Sequence, residues 1–186
     1  MEIVDLLPDA SDRIHEVAAL LVEGFREHHP QAWPTLDSAL TEVQDSLSDS
    51  RISRVAIAPA GFVLGWIGGI PSYGGHVWEL HPLVVHPTYQ SQGIGRALVA
   101  DLEQQVSQRG GLTLWVGTDD ENAQTSLSGV LLYPNPLEKL AQIQNLHRHP
   151  YAFYQKCGFT LIGAMPDANG RGKPDLFLAK SIETYL

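Results

Sequence analysis

Cysteine is almost absent: Cys157 is the only one in 186 residues. An intrachain disulfide is therefore excluded, and so is a zinc site built on cysteines. Positive charge is also scarce. Twelve Lys and Arg stand against 21 Asp and Glu, a formal net charge of −9. Such a balance argues against nucleic acid and anionic membranes as partners and suits a small cationic substrate, though many ordinary proteins are equally acidic. Long apolar runs are missing, and no stretch could span a bilayer. The opening residues, MEIVDLLPDA, have no basic segment followed by an apolar run, so no signal peptide is expected and the reading is a cytoplasmic protein. Repeats and linkers are absent too, which predicts one domain over residues 1–186.

What is present reads as a packed α/β domain. Hydrophobic residues make up 44% and charged residues 18%, a globular rather than a disordered composition. Glu2–Leu7 suggests a short strand. Ile14, Val17, Ala18, Leu21 and Phe25 mark one face of a helix running to about His28, with Asp9 or Ser11 as its cap. Leu36, Leu40, Val43 and Leu47 predict a second helix. Arg51–Ala58, Phe62–Ile70 and Val77–Val85 form an antiparallel meander, with turns at Pro59–Gly61 and Pro71–Gly75. A helix follows and ends at Gly110–Gly111. Leu112–Val116 is a short buried strand, parallel to its predecessor. Helices are expected over Pro136–Leu146 and from Pro150 to Gly158, and the last strands at Phe159–Ala164 and Asp175–Lys180.

The chain is organised around HVWELHPLVVHPTYQSQGIGRALV, residues 76–99. A strand-forming run is interrupted by Pro82, which removes a ladder donor and predicts a bulge or a splayed edge. Gln90, Ser91, Gln92, Gly93, Ile94, Gly95 and Arg96 then open a helix marked by Ala97, Leu98, Leu102 and Val106. A glycine loop at a helix start aims backbone N–H groups at an anion, so these seven residues, with Leu83, Val84 and Val85 of the strand, are either candidates to hold a phosphate-bearing cofactor or an ordinary strand-to-helix turn with two glycines. The loop is not the dinucleotide fingerprint, for want of a third glycine in register, and not a Walker loop, for want of Gly-Lys-Ser/Thr.

The candidate chemistry lies nearby. Alternation puts Val77, Glu79 and His81 on one strand face and Trp78 and Leu80 on the other. A carboxylate in an apolar strand is either paired or used, so Glu79 is a candidate base or a salt-bridged structural residue. His81 either assists it or is simply satisfied. A metal bound by His76, Glu79, His81 and His86 fits no spacing that zinc uses, and none is expected. If the ladder breaks at Pro82, the Leu83 N–H could stabilise charge developing on an oxygen; otherwise it pairs with a neighbouring strand. Tyr154 offers a phenolic proton to a leaving group or fills the core. Trp33, on the loop between the first two helices, would stack on a substrate or anchor the loop. Tyr73, in the Pro71–Gly75 turn, is a further substrate-binding candidate.

Gln-x-x-Gly-x-Gly followed by Tyr-x-x-x-Gly-Phe resembles the two signature segments of GNAT N-acetyltransferases. Trp78-Glu79-Leu80-His81-Pro82-Leu83, Gly117-Thr118-Asp119-Asp120 and Asp167-Ala168-Asn169-Gly170 are similar to the aminoglycoside 6′-N-acetyltransferases of that family. The resemblance implies a mixed, mostly antiparallel sheet with splayed central parallel strands, flanked by helices. It implies acetyl-CoA as co-substrate, no metal, and direct acetyl transfer to a primary amine. In that scheme Glu79 is base, the Leu83 N–H the oxyanion donor and Tyr154 the acid, with Asp119 and Asp120 holding a polycation in a homodimeric enzyme. Leu131 and Ala152 depart from the subgroup, which usually carries acids there, and Gln90 stands where many members have arginine. The alternatives are an enzyme for another amine, such as a polyamine or protein amino group, and a CoA-binding sensor or interaction module without catalysis.

Overall fold

The computed structural model describes residues 1–182. The chain gathers into two compact units, one of Met1–Leu114 with Ile182, the other of Trp115–Ser181. The first contains β1 (Glu2–Asp5), α1 (Ser11–Phe25), α2 (Leu36–Ser46), β2 (Ile52–Ile57), β3 (Val63–Ser72), β4 (Val77–Val85), α3 (Ile94–Gln108) and the first residues of β5 (Thr113–Asp119). The second holds the rest of β5, then α4 (Pro136–Ala141), α5 (Tyr151–Lys156), β6 (Thr160–Met165) and β7 (Asp175–Ser181).

In the first unit β1 to β4 form an antiparallel meander, with Val4 opposite Val55, Val55 opposite Trp66 and Trp66 opposite Val84. One face packs on α1 and α2. Val17, Leu21, Val43, Val55, Trp66 and Val84 form its buried cluster, with Phe25 and Trp33 against it. The other face packs on α3 through Leu98 and Leu102. Gly65 and Gly69 permit that approach: a Cβ on Gly69 would lie 2.9 Å from Leu102, and one on Gly65 3.0 Å from Leu98. Arg54 of β2 pins the layers, giving Nε to Asp101 of α3 at 2.7 Å and Nη1 to Asp5 of β1 at 2.6 Å. The hydrogen bond to Asp101 is the main cause of its raised pKa, against the opposing effect of burial.

The helix ends show which local signals were decisive. α1 starts at Ser11 with Ala10 as cap and no side-chain cap bond, so neither Asp9 nor Ser11 caps it, and it ends at Phe25 rather than His28. Thr35 caps α2 by accepting from the Ser38 N–H while the Ser38 hydroxyl accepts from Thr35, a capping box. α3 closes with Gly110 at φ 75°, the Gly111 N–H bonding Val106 and the Gly110 N–H bonding Ser107, the Schellman arrangement.

The second unit is built on fewer regular residues. β6 and β7 pair antiparallel, Leu161 opposite Leu178. The helix expected over Pro136–Leu146 ends at Ala141. Its continuation is diverted: Gln144 exchanges hydrogen bonds with Ser126, the Leu146 N–H reaches Gln124, and Asn145 bridges Thr125. Pro150 precedes α5 as its cap instead of occupying its first position.

Candidate active site

β4 carries the irregularity expected at Pro82. Ile67 pairs with Leu83 and Gly69 with Leu80, so His81 and Pro82 together oppose Gly68. Gly68 is required there. A Cβ on it would lie 2.2 Å from the His81 carbonyl oxygen, well inside contact. The bulge also turns the strand over. Before it, Trp78 lies against Gly111 and Val106 at the end of α3; after it, Val84 lies against Gly24 of α1, while Val85 flanks Gly65 beside Leu98. Glu79 and His81 thus share the face that α1 and α2 cover.

That face gathers several groups. Trp33 stands edge-on to Phe25 with ring centroids 4.7 Å apart, and its centroid is 6.0 Å from that of His81. Glu42 of α2 places Oε1 3.8 Å from His81 Nε2. Glu79 is half-buried, and loss of hydration raises its pKa above the ordinary carboxylate value. His81 and Arg51 oppose that rise and Glu42 adds to it. A carboxyl shifted upward is a better proton acceptor near neutral pH than a free one. Glu42 and Arg51 were not singled out from sequence. Their spacing matches ordinary surface positions of a helix and a strand start, and only folding brings them to Glu79. Tyr73 is 82% exposed in the short turn Tyr73–Gly75.

The ladder fixes the direction of the Leu83 N–H. The His86 N–H bonds the Leu64 carbonyl at 2.9 Å. Antiparallel strands alternate, so residues 84 and 86 direct their polar groups to β3, and Leu83 and Val85 direct theirs to the opposite edge of β4. Gln90 agrees with this: its Nε2 donates to the Val85 carbonyl at 3.2 Å. The side chains of Val84 and Ile94 are buried, which leaves only their backbone groups for a cofactor.

Beyond β4 the chain makes a one-turn helix, Pro87–Tyr89, held by His86 Nδ1 accepting from the Thr88 N–H. Ser91 (φ 62°) and Gly93 (φ 86°) then take left-handed conformations, and α3 starts at Ile94. A Cβ built on Gly93 meets no protein atom within 4 Å, so the space over the first turn of α3 is open. The bare N–H groups of that turn and the dipole of a 15-residue helix suit an anion. Arg96, exposed on the same turn, can add charge. An open cleft of about 540 Å³ adjoins this loop, lined among others by Phe62, Leu64, Tyr89, Gln92 and Gly93.

In the second unit Tyr154 is buried on α5, with its ring edge-on to Phe153 and Phe159. Burial, with a smaller contribution from Cys157, pushes its phenol well above the usual range, so it keeps its proton. The two neighbouring acids diverge. Asp119 is half-buried, and its carboxylate accepts from the Asn169 amide. Asp120 is 0% exposed, and its oxygens accept from the Gln124 N–H (2.7 Å), the Thr125 N–H (2.9 Å) and the Thr125 hydroxyl (2.6 Å). The expectation that Asp120 contacts a cation is therefore corrected: three donors consume a carboxylate that has no solvent face, and it orders the Glu121–Thr125 turn instead. Among the described residues no group of three His, Cys, Asp or Glu side chains is placed to hold a metal ion.

The acetyltransferase (GNAT) family model matches residues 14–125. A search of curated proteins finds no match. Among solved structures, an aminoglycoside 6′-N-acetyltransferase complexed with coenzyme A is 37% identical, over 100% of this chain and 99% of its own, with a TM-score of 0.91. The aminoglycoside 6′-N-acetyltransferase from Enterococcus faecium is also 37% identical over the same shares, with a TM-score of 0.89. An aminoglycoside 6′-acetyltransferase type Ii is 31% identical over 100% of both chains, with a TM-score of 0.75. The mixed α/β class with a mostly antiparallel sheet is the one expected from the sequence. The chain belongs to the GNAT acetyltransferase family and is an N-acetyltransferase.

Proposed function

We propose that this enzyme transfers the acetyl group of acetyl-CoA directly to a primary amine, the 6′-amine of an aminoglycoside. The observation that carries this reading is the full-length similarity to aminoglycoside 6′-N-acetyltransferases, one of them holding coenzyme A. The residues present suit that co-substrate: Gly93 leaves open space over the start of α3, and the N–H groups there would take the pyrophosphate. Bound acetyl-CoA supplies an acetyl group activated as a thioester. Glu79 removes a proton from the acceptor ammonium, directly or through water, and His81 supports it. The amine nitrogen bonds to the acetyl carbon while the carbon–sulfur bond breaks. The Leu83 N–H, directed away from β3, stabilises the charge on the thioester oxygen. Tyr154 gives its proton to the departing thiolate and is reprotonated by the second proton, which the acylated nitrogen sheds as it becomes the amide. Trp33, Tyr73 and Asp119 contribute to holding the acceptor. No step calls for a metal.

We also read the protein as a cytoplasmic homodimer of single domains. Leu131, Tyr133, Leu137, Ile162 and Met165 are exposed apolar side chains on the second unit, and an interface between copies would cover them. No helix among the described residues is long and apolar enough to cross a membrane. Light scattering on the eluted protein tests the dimer.

The function is tested by following CoA release over aminoglycosides, polyamines and peptides. Acceptors with a 6′-amine should be consumed and those with a 6′-hydroxyl should not. Rapid turnover of a polyamine or peptide with no aminoglycoside acetylated would assign the enzyme to another amine. That reading is favoured only by Leu131 and Ala152, which lack the acids usual in the subgroup. Binding of CoA without release from any acceptor would leave a sensor.

A further inference from the structure

His149 has no part in the chemistry above, yet it is the most fully engaged histidine in the second unit. It is 1% exposed. Its ring lies between two segments that carry proposed functional groups. Nδ1 accepts from the N–H of Tyr151, the first residue of α5, at 3.2 Å. Nε2 lies 3.1 Å from the carbonyl oxygen of Asp119, the last residue of β5. The carbonyl can only accept, so Nε2 carries the proton. Nδ1, receiving a backbone N–H, carries the lone pair. The two bonds together select one neutral tautomer. The His149 backbone is held as tightly, exchanging two 2.8 Å bonds with the Asn145 side chain.

α5 is only six residues long, and a helix that short does not order itself. Its first N–H is fixed by His149, and its first-turn carbonyl bonds run from His149 to Ala152 and from Pro150 to Phe153 and Tyr154. Tyr154 lies three residues after Tyr151, on the same helical face. The direction of its phenol therefore depends on how the start of α5 is anchored.

We propose that His149 is a positioning residue: as the neutral Nε2–H tautomer it ties the start of α5 to the end of β5 and so sets the placement of Tyr154. This rests on the reading of Tyr154 as the acid of the proposed reaction. His149 touches no substrate and acts through the helix.

The experiment is a double-mutant cycle of His149→Gln and Tyr154→Phe, with His149→Asn as the conservative variant. A Gln amide can reach toward Asp119 but leaves no acceptor beside the Tyr151 N–H, whereas the Asn oxygen stands near the position of Nδ1. His149→Gln should lower kcat on the order of tenfold to a hundredfold, the scale of a misplacement of about 1 Å, with KM for acetyl-CoA and acceptor unchanged. His149→Asn should recover most of that loss. In a Tyr154→Phe background His149→Gln should cost nothing further, because both changes remove the same contribution. Full multiplication of the two losses, or a rise in KM at unchanged kcat, would overturn the positioning role. Parental turnover by Tyr154→Phe alone would instead overturn the acid assignment, so the two failures are distinct. If His149→Gln does not fold, imidazole nitrogen shifts of the unaltered protein decide: a pyridine-like Nδ1 supports the proposal, and a protonated Nδ1 overturns it.

Discussion

Two stretches of the chain hold their functional groups by opposite means. Residues 77–110 work through backbone. The bulge opposite Gly68 turns β4 over, the alternation of the ladder aims the Leu83 N–H, and the left-handed Gly93 leaves the space over the first turn of α3 open. Residues 117–174 work through side chains that reach across loops. Asp120 holds the Gln124 and Thr125 amides, Asn145 and His149 hold the entry to α5, Asn169 holds Asp119, and Asp167 accepts from the Gly172 N–H at 2.6 Å. A backbone device fails when a side chain is added, and a side-chain device fails when a donor or acceptor is removed. The same contrast separates two carboxylates. Glu79 is incompletely shielded and keeps a raised affinity for a proton, whereas Asp120 is consumed by its three donors.

The largest effect should come from the carboxylate that is free to do chemistry. Glu79→Gln keeps the shape but cannot take a proton, so turnover should fall on the order of 10²- to 10⁴-fold. The sign of the pH dependence follows from the direction of the shift. A base must be deprotonated to act, so activity falls as pH drops through the Glu79 pKa. Burial raises that pKa, so the fall should begin at higher pH than for an ordinary glutamate. The variant should lose this acidic limb. A variant that keeps both the limb and its rate would move the base elsewhere, to His81 through water.

Asp120→Asn tests the other side of the contrast. It replaces an acceptor of three bonds with a group that must point an NH₂ at a donor, in a site with no water contact. Stability should drop by about 2–4 kcal/mol, read from denaturant unfolding. KM for a cationic acceptor should keep its dependence on salt, since Asp120 does not face it. Asp119→Asn should do the reverse, with little loss of stability and a higher KM. Matching behaviour of the two variants would erase the distinction drawn between these acids.

These contrasts also explain how much could be read in advance. β4 runs from Val77 to Val85 as the sequence pattern predicts, and α3 begins just after Gly93, because strand alternation, proline and glycine act within a few residues of themselves. The backbone geometry of this stretch was legible for that reason. The Pro136–Leu146 pattern looked helical, but Gln144 and Leu146 bond Ser126 and Gln124 instead, partners some twenty residues distant that no local period reveals. Asp119 and Asp120 are identical in sequence terms, and only burial tells them apart. His149 carried one faint signal, its place immediately before Pro150 and a short aromatic helix.

Gly93→Ala has a smaller expected effect, because two terms of different kind remain. At φ 86° a Cβ strains the backbone by about 1–2 kcal/mol, although no protein atom opposes it. The open space that spares the fold is the space proposed for the pyrophosphate. Calorimetry should therefore show acetyl-CoA binding weakened by roughly tenfold or more in a protein that still folds, a drop of about 1.4 kcal/mol or more. Unchanged affinity would place the cofactor away from this loop. Gly68→Ala is the control for a backbone device that is closed rather than open, and it should cost stability first, because its Cβ meets the His81 carbonyl.

The smallest effect is expected from restoring an acid on the acceptor side. Ala152 is the second residue of α5 and is half-buried. A glutamate in the first turn complements the helix dipole, so Ala152→Glu should leave stability nearly unchanged. A partly exposed carboxylate beside an ammonium contributes about 0.2–1 kcal/mol, which limits the fall in KM for an aminoglycoside to about fivefold. The improvement should shrink on raising salt from 0.01 M to 0.15 M, where the screening length falls from about 30 Å to about 8 Å. Affinity for acetyl-CoA should not move, because the cofactor is proposed to bind through the start of α3. Acceptor kinetics for both proteins at the two salt concentrations read all of this. A KM that falls equally at both concentrations would mean that the glutamate acts by packing or by a hydrogen bond. A KM that rises would mean that Ala152 faces away from the acceptor, and that the acids missing at 131 and 152 mark an enzyme for a less charged amine.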